Sequence, residues 1–489
     1  MTLKDKLTAE PGFNYIIDSM EFMCSPGKRC MLQQTFVSDP AMLNREYDNI
    51  EHVIRCLEEP GSAKAVSTIR HQLMQMHDLQ GSLANLHQHI VLEEIELFEI
   101  KNLAFLCTET DKAAKVIGID GILGIPDLGD VFALLDPDNT HIANFYIYDS
   151  YHPDLPQIRK QLKAKQSLLD NSNDSVDSKA ELQRQINELY EQQNLVQQTV
   201  MASLTDKLYD LRQQLSSAHD RMAYTDMLFA KATLALQWNL QRPMFDSQHT
   251  AFKQLWNPRL MHRNKELNLR YQPVDIELQA GVCFVTGANM AGKTVLLKTI
   301  GIAQLMAQFG LFVPAKEAVI SPVSDVAFCI GDEQNEMNGL SSFASEIIKI
   351  SDNVTRAESE KMLILIDEPA RTTNPVEGKA LVQAVASLLD RRDSFTVITT
   401  HYSQLQLPCR RLRVKGFVEG LSDMPLTPQN INQFMDYSLL DDDSDDVPQE
   451  AIRIASIMNC NPSLIDTARD FLENGETKSQ KSAQKRSDK

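Results

Sequence analysis

The stretch Gly281-Val282-Cys283-Phe284-Val285-Thr286-Gly287-Ala288-Asn289-Met290-Ala291-Gly292-Lys293-Thr294 decides how this chain is read. Its first part is a short apolar run of strand type, and its second part is a complete GxxxxGK[ST] motif. Residues 295–309 then read as a helix. Strand, glycine-bearing loop and helix, in that order, suit the binding of phosphate. Glycines let successive backbone N–H groups curl around an anion, and the helix N-terminus adds its positive dipole. Lys293 is placed to reach the β- and γ-phosphates of a nucleotide, and the Thr294 hydroxyl to ligate Mg²⁺. Gly287, Ala288, Asn289, Met290, Ala291 and Gly292 form the cradle. Of the 19 glycines in 489 residues, eight fall between Gly281 and Gly378 (281, 287, 292, 301, 310, 331, 339 and 378). Tight turns and close backbone approach are therefore concentrated there.

Two further elements follow in the order such a site needs. Met362-Leu363-Ile364-Leu365-Ile366-Asp367-Glu368 is an apolar run ending in two acids. A buried strand carries Asp367 to the carboxyl edge of the sheet, where it holds Mg²⁺, and sets Glu368 to polarise an attacking water. Phe395-Thr396-Val397-Ile398-Thr399-Thr400-His401 is a third strand, ending in a histidine. From Gly281 onward strands alternate with helices, which implies a mainly parallel sheet covered on both faces.

The rest of the chain is mostly helical. Leu182, Ile186, Leu189, Val196, Val200, Leu204, Leu208, Leu211 and Leu215 recur at spacings of three, four or their sum, with Gln193 a flaw in the face. Residues 157–169 and 180–215 read as two helices joined by a polar tip, a helical arm. Residues 113–148 read as α/β, with Phe145-Tyr146-Ile147-Tyr148 strand-like, and residues 240–275 as a connector. The domain expectation is a mainly helical core and arm over 1–240, a connector leading into the ATPase domain over 241–280, that domain over 281–425, a C-terminal helical region over 426–473 and a disordered tail over 474–489.

Composition excludes several classes. Lys+Arg number 48 against 66 Asp+Glu, a net charge of −18, which argues against a broad nucleic-acid-holding surface. Between 157 and 222, the arm, nine basic residues face nine acidic ones. No apolar run approaches the roughly 18 residues of a membrane span, and the start lacks a signal peptide's apolar core, so a cytoplasmic protein without membrane association is expected. The eight cysteines show no CxxC pair and read as reduced core thiols. His87 and His89, two apart on a helix, point away from each other and read as ordinary histidines rather than ligands. Glu93, Glu94, Glu96 and Glu99 read as a solvated helix face, and the acids at 441–446 as a solvated loop.

These motifs resemble those of the MutS family of ABC-type ATPases. Thr286-Gly287-Ala288-Asn289-Met290-Ala291-Gly292-Lys293 is similar to the family's TGPNMGGK, with alanines at 288 and 291, and Leu311-Phe312-Val313-Pro314-Ala315 is similar to its VPA segment. Gly331-Asp332-Glu333-Gln334 with Leu340-Ser341-Ser342-Phe343 resembles the signature region, and Thr400-His401-Tyr402 resembles its THY. Weaker likenesses are Leu135-Asp136-Pro137, the segment Thr225-Asp226-Met227-Leu228 and the run from Pro448 to Ala455. The likeness is strong over about 280–405. It implies an α/β P-loop, ABC-type ATPase domain preceded by the helical core and arm, and two subunits facing head to tail around ATP and Mg²⁺. It further implies His401 as γ-phosphate sensor and Ser341 as the serine that completes the partner's site. Tyr271 is taken for the residue stacking on adenine. After Glu368 the run Pro369-Ala370-Arg371-Thr372-Thr373-Asn374-Pro375 departs from the family's glycine-rich segment.

The resemblance implies no mismatch-reading domain and no small nuclease domain. Two functions follow. One is a dimeric ATPase whose arms act on mismatched or branched DNA in repair. The other is a reactivating chaperone for a cobalamin-dependent aminomutase, with a protein partner and no DNA role.

Overall fold

A computed structural model of the chain describes residues 1–9, 11–141, 144–171, 176–288, 291–331, 342–403, 405–417, 434–442, 452, 455–456 and 460–471. The chain divides into two compact units, one of residues 1–19, 35–47 and 235–489, the other of 20–34 and 48–234.

The second unit is helical. Its arm pairs α1 (Leu155–Asn171) with α2 (Val176–Asp210), and α3 (Arg212–Trp238) follows. Ile158, Leu162, Ile186 and Leu189 form the buried seam between α1 and α2, with Leu169, Leu182 and Val196 packed on it. Val200, Leu204, Leu208 and Leu215 are buried as the spacing predicts. The single helix expected over 180–215 is interrupted at Leu211, whose N–H bonds to the Leu208 carbonyl three residues back. Apolar spacing runs straight through that tightened turn, so the sequence alone does not show it. The expected tip at 172–175 lies outside the described residues.

Leu135-Asp136-Pro137 earns its place through a buried pair. Lys101 Nζ lies 3.0 Å from Asp136 Oδ1 and donates to the Asn144 carbonyl and the Tyr148 hydroxyl, both at 2.9 Å. Burial alone would raise the Asp136 carboxyl. The Thr140 hydroxyl, the His141 N–H and Lys101 outweigh it and hold the group well below the usual carboxylate range. This corrects one expectation: Phe145–Tyr148 forms no strand, because Ile147 and Tyr148 are spent on core packing and on Lys101. Asp226, on α3, accepts the N–H groups of Met23 and Cys24 at 2.9 and 3.0 Å. His87 bonds Ser216 and His89 bonds Asp206, and among the described residues no three or more His, Cys, Asp or Glu side chains gather as a metal-binding group. Glu93 and Glu96 form a reciprocal cap on the helix Glu94–Val116, placing their charge at its positive end.

The first unit holds both sheets. The smaller has strands β1 (Met244–Phe245), β2 (His249–Leu255), β3 (Val274–Gln279) and β5 (Glu317–Ile320) in the order β1-β5-β2-β3. The connector expected over 240–275 thus carries β1, β2, the start of β3 and a helix, Pro258–Glu266. The larger sheet adds β4 (Gly281–Thr286), β6 (Asp325–Cys329), β7 (Met362–Asp367), β8 (Phe395–Thr399), β9 (Arg410–Phe417) and β10 (Met435–Asp441) in the order β10-β9-β4-β8-β7-β6. All its pairings are parallel except β9 with β10.

Helices cover both faces of this sheet, as the near-continuous apolar strands require. α4 (Lys293–Gln308) lies so close on one face that a Cβ on Gly301 would come within 2.3 Å of the Phe328 ring. On the other face α5 (Ser342–Arg356) and α6 (Pro375–Leu389) bury Ile350, Val382, Ala386 and Leu389 against Phe284, Ile364, Ile366 and Ile398. Residues 1–19 and 35–47 also pack here: Phe13 and Phe36 meet the Phe309 ring, and the Tyr47 hydroxyl donates to the Ala307 carbonyl at 2.7 Å. No described helix is long and apolar enough to cross a membrane. None of the eight cysteines is in a disulfide, and Cys24, Cys56, Cys107, Cys283, Cys329 and Cys409 are buried.

Candidate active site

β4, β8 and β7 are neighbours, and their carboxyl ends share one edge. Val285 registers with Thr399 on one side of β8, and Asp367 with the same Thr399 on the other. That register brings together side chains from three distant parts of the chain. The turn after β4 needs its glycines, since Gly287 and Gly292 have φ of +143° and +74°. Ala291, where the resembled family has glycine, has no such positive φ, so its Cβ is tolerated, and its N–H bonds the Ala288 carbonyl at 3.0 Å. Asn289 and Met290 lie outside the described residues.

Lys293 opens α4 and is 4% exposed. Its ammonium donates to the carbonyls of Gly287 and Ala288 at 2.8 and 3.0 Å and stands 3.3 Å from Glu368 Oε1. The Thr294 hydroxyl donates to Asp367 Oδ2 at 2.6 Å. The Thr399 hydroxyl donates to Asp367 Oδ1 at 2.6 Å and accepts the Glu368 N–H at 2.9 Å. The hydroxyl of Thr294 and the carboxylate of Asp367 are hard oxygen donors converging on one point, a set that fits Mg²⁺.

His401 follows β8 on the same edge. It is exposed, with its ring 4.4 Å from that of Tyr402. Ser341 lies outside the described residues. Sequence reasoning missed several neighbours. Arg371, exposed, approaches Glu368 Oε2 at 3.5 Å. Glu346, on α5, is raised by burial, with Asp367 adding to the rise and the Ala370 N–H opposing it. The run after Glu368 also acquires a reason: the Asn374 side chain caps α6 by accepting the Val376 N–H at 2.9 Å, and Pro375 occupies its first turn.

Beside Gly292 opens a cleft of about 300 Å³ lined by Arg270, Tyr271, Val295, Leu296 and Tyr437. Tyr271 accepts the Asn257 N–H at 2.7 Å. The Gln272 side chain accepts the Tyr437 N–H and donates to Asp436 and Ser438, which ties both aromatic residues to one wall. Tyr437 lies far from the motifs in sequence, and no spacing marks it.

Residues 283–474 match the model of MutS domain V. This part of the chain is a MutS domain V. Similar curated proteins bear the name Endonuclease MutS2. That of Leuconostoc citreum is 32% identical over 230 residues, 46% of this chain and 28% of that protein. That of Geobacillus thermodenitrificans is 36% identical over 211 residues, 42% of this chain and 26% of that protein. That of Gemmatimonas aurantiaca is 30% identical over 284 residues, 57% of this chain and 33% of that protein. The matched stretch thus spans a third or less of each relative. For the MutS domain, the alanines at 288 and 291 remove no side-chain ligand.

Proposed function

We propose that this chain binds and hydrolyses ATP as a MutS-type ATPase and acts on DNA. The observation that carries the ATPase reading is the convergence of Lys293, Thr294, Asp367 and Glu368 on one sheet edge. In this reading the backbone of 287–292 and Lys293 hold the β- and γ-phosphates. The adenine sits in the cleft between Tyr271 and Tyr437. Thr294 and Asp367 hold Mg²⁺, which when bound neutralises charge on the phosphate oxygens. Glu368 takes a proton from the attacking water; its oxygen bonds the γ-phosphorus as the bond to the β–γ bridging oxygen breaks, giving ADP and phosphate. His401 contacts the γ-phosphate. A second copy faces the first head to tail, so that Ser341 of the partner subunit completes the site. Binding closes the pair and hydrolysis opens it, with the helical arms following.

The name of the relatives supports DNA as the partner. The nine-to-nine charge balance of the arm argues for few phosphate contacts and a shallow salt dependence. The test uses Glu368→Gln, which is expected to keep ATP and lose turnover. That variant, with ATP, is mixed with duplex, mismatched and branched DNA at low and physiological salt. Retarded complexes that weaken modestly with salt support the reading. No complex at low salt removes DNA from it, and unchanged turnover in Glu368→Gln removes Glu368 as the base.

A further inference from the structure

The segment that follows Asp367 is held in a conformation it would not adopt unaided. Glu368 and Ala370 have φ of +43° and +60°, on either side of Pro369. Residues with a Cβ avoid that region unless their surroundings impose it. The surroundings here are the end of β8. Thr399, fully buried, holds the first part of the turn, with its hydroxyl bridging the Asp367 carboxylate and the Glu368 N–H. The Thr399 carbonyl accepts the same N–H at 3.2 Å. Three residues on, the Tyr402 hydroxyl donates to the carbonyl of Ala370, itself fully buried, at 3.1 Å. Room for that hydroxyl is made by Gly378, where a Cβ would lie 2.2 Å from it. Two hydroxyls thus grip the turn at both ends, and His401 sits between them in the chain.

We infer that Thr399 and Tyr402 are positioning residues for ATP hydrolysis: they fix the 367–370 turn so that the Glu368 carboxylate is aimed, while neither touches the nucleotide. The geometry is selective. Thr399 acts on the metal-holding carboxylate by donating its O–H and on the backbone of the base by accepting the Glu368 N–H on a lone pair. Tyr402 acts on the base through the far end of the turn. Loss of either hydroxyl leaves Lys293 and the phosphate cradle intact, so binding and turnover separate.

The inference rests on the ATPase reading, and the experiment tells the two apart. Steady-state ATP turnover and equilibrium binding of a fluorescent ATP analogue with Mg²⁺ are measured for the full chain and for Thr399→Val, Thr399→Ser and Tyr402→Phe. Thr399→Val keeps the shape and removes the hydroxyl. Its kcat is expected to fall by at least about tenfold with nucleotide affinity within about threefold, since small displacements of a reacting group cost rate rather than binding. Thr399→Ser restores the hydroxyl and should recover most of kcat; Tyr402→Phe should lower kcat in the same sense. Unchanged kcat in both Thr399→Val and Tyr402→Phe overturns the inference, as does a loss of affinity that matches the loss of kcat. Should Thr399→Val not fold, Tyr402→Phe and the Thr399→Ser comparison decide by the same split. A wild-type chain that binds the analogue and turns over no ATP fails the ATPase reading itself, and the inference with it.

Discussion

The Thr294 hydroxyl and the Asp367 carboxylate, 73 positions apart in the chain, meet at 2.6 Å. One arrives at the head of a helix and the other at the end of a buried strand, and the registers of β4 and β7 on the shared neighbour β8 bring them together. The pair joins a hydroxyl oxygen to a carboxylate oxygen, which is the donor chemistry of a Mg²⁺ site. Replacing Asp367 with Asn keeps size and removes charge. ATP turnover should fall by about a hundredfold or more, the scale of losing a preorganised electrostatic contact. The Mg²⁺ concentration giving half-maximal turnover should rise. A Mg²⁺ titration of the ATPase rate in both proteins checks this, and an unchanged midpoint removes Asp367 from the metal site.

Gly378 and Tyr402 should behave as a coupled pair. Gly378→Ala places a methyl group 2.2 Å from the Tyr402 hydroxyl and 3.1 Å from the Ala370 carbonyl, so the ring must move and the turn must follow. Turnover should drop in Gly378→Ala. In Gly378→Ala/Tyr402→Phe the added drop should be much smaller than the sum of the two single effects, because the clash and the lost hydrogen bond concern the same oxygen. A double-mutant cycle on kcat checks it, with a coupling of roughly 1 kcal/mol or more expected for residues in contact.

The edge that gathers Lys293, Thr294, Asp367 and Glu368 was legible in the sequence because each of its parts is local. A strand, a glycine-bearing loop and a helix predict where Lys293 and Thr294 lie, and an apolar run ending in acids predicts where Asp367 and Glu368 lie. Parallel neighbours then bring the parts to one edge. What escaped was contact between segments that carry no mutual spacing. Tyr437 reaches the cleft through the pairing of β10 with β9, and Phe13 and Tyr47 pack beside α4 although their helices look like those of the other unit. Periodicity says that a face is apolar and not what it meets. The break at Leu211 was hidden for the opposite reason, since its apolar spacing is uninterrupted while its hydrogen bond shortens to the third residue back.

In the helical unit Gly27 is required by Asp226 rather than by a turn. A Cβ there would lie 2.0 Å from Asp226 Oδ2 and 2.6 Å from Asp226 Cβ, and Asp226 is fixed by the N–H groups of Met23 and Cys24. Gly27→Ala should destabilise this unit by about 1–3 kcal/mol, the usual cost of overpacking. Urea unfolding followed by far-ultraviolet circular dichroism should show an earlier first transition. Equal midpoints for the two chains would mean that the helix carrying Gly27 shifts without cost.

Asp136 gives a pH-dependent prediction. Its carboxyl lies well below the usual range in the folded chain, so folding favours the ionised form. Burial opposes this, and the Thr140 hydroxyl, the His141 N–H and Lys101 overcome it. The folded state therefore binds fewer protons than the unfolded state near the ordinary carboxylate pKa of 3.8. The resulting stability is complete above that value and fades as pH falls through and below it. Asp136→Asn leaves the Lys101 ammonium buried without its counter-charge, which should cost about 3–5 kcal/mol at pH 7. As pH falls from 6 to 3 the difference in melting temperature between wild type and Asp136→Asn should hold to near 3.8 and then begin to narrow, since the unfolded carboxyl takes up the proton that the folded one refuses. Melting curves of both proteins across that range check it. A gap that stays constant down to pH 3 would mean that Asp136 stabilises the fold through shape and hydrogen bonding rather than through its charge.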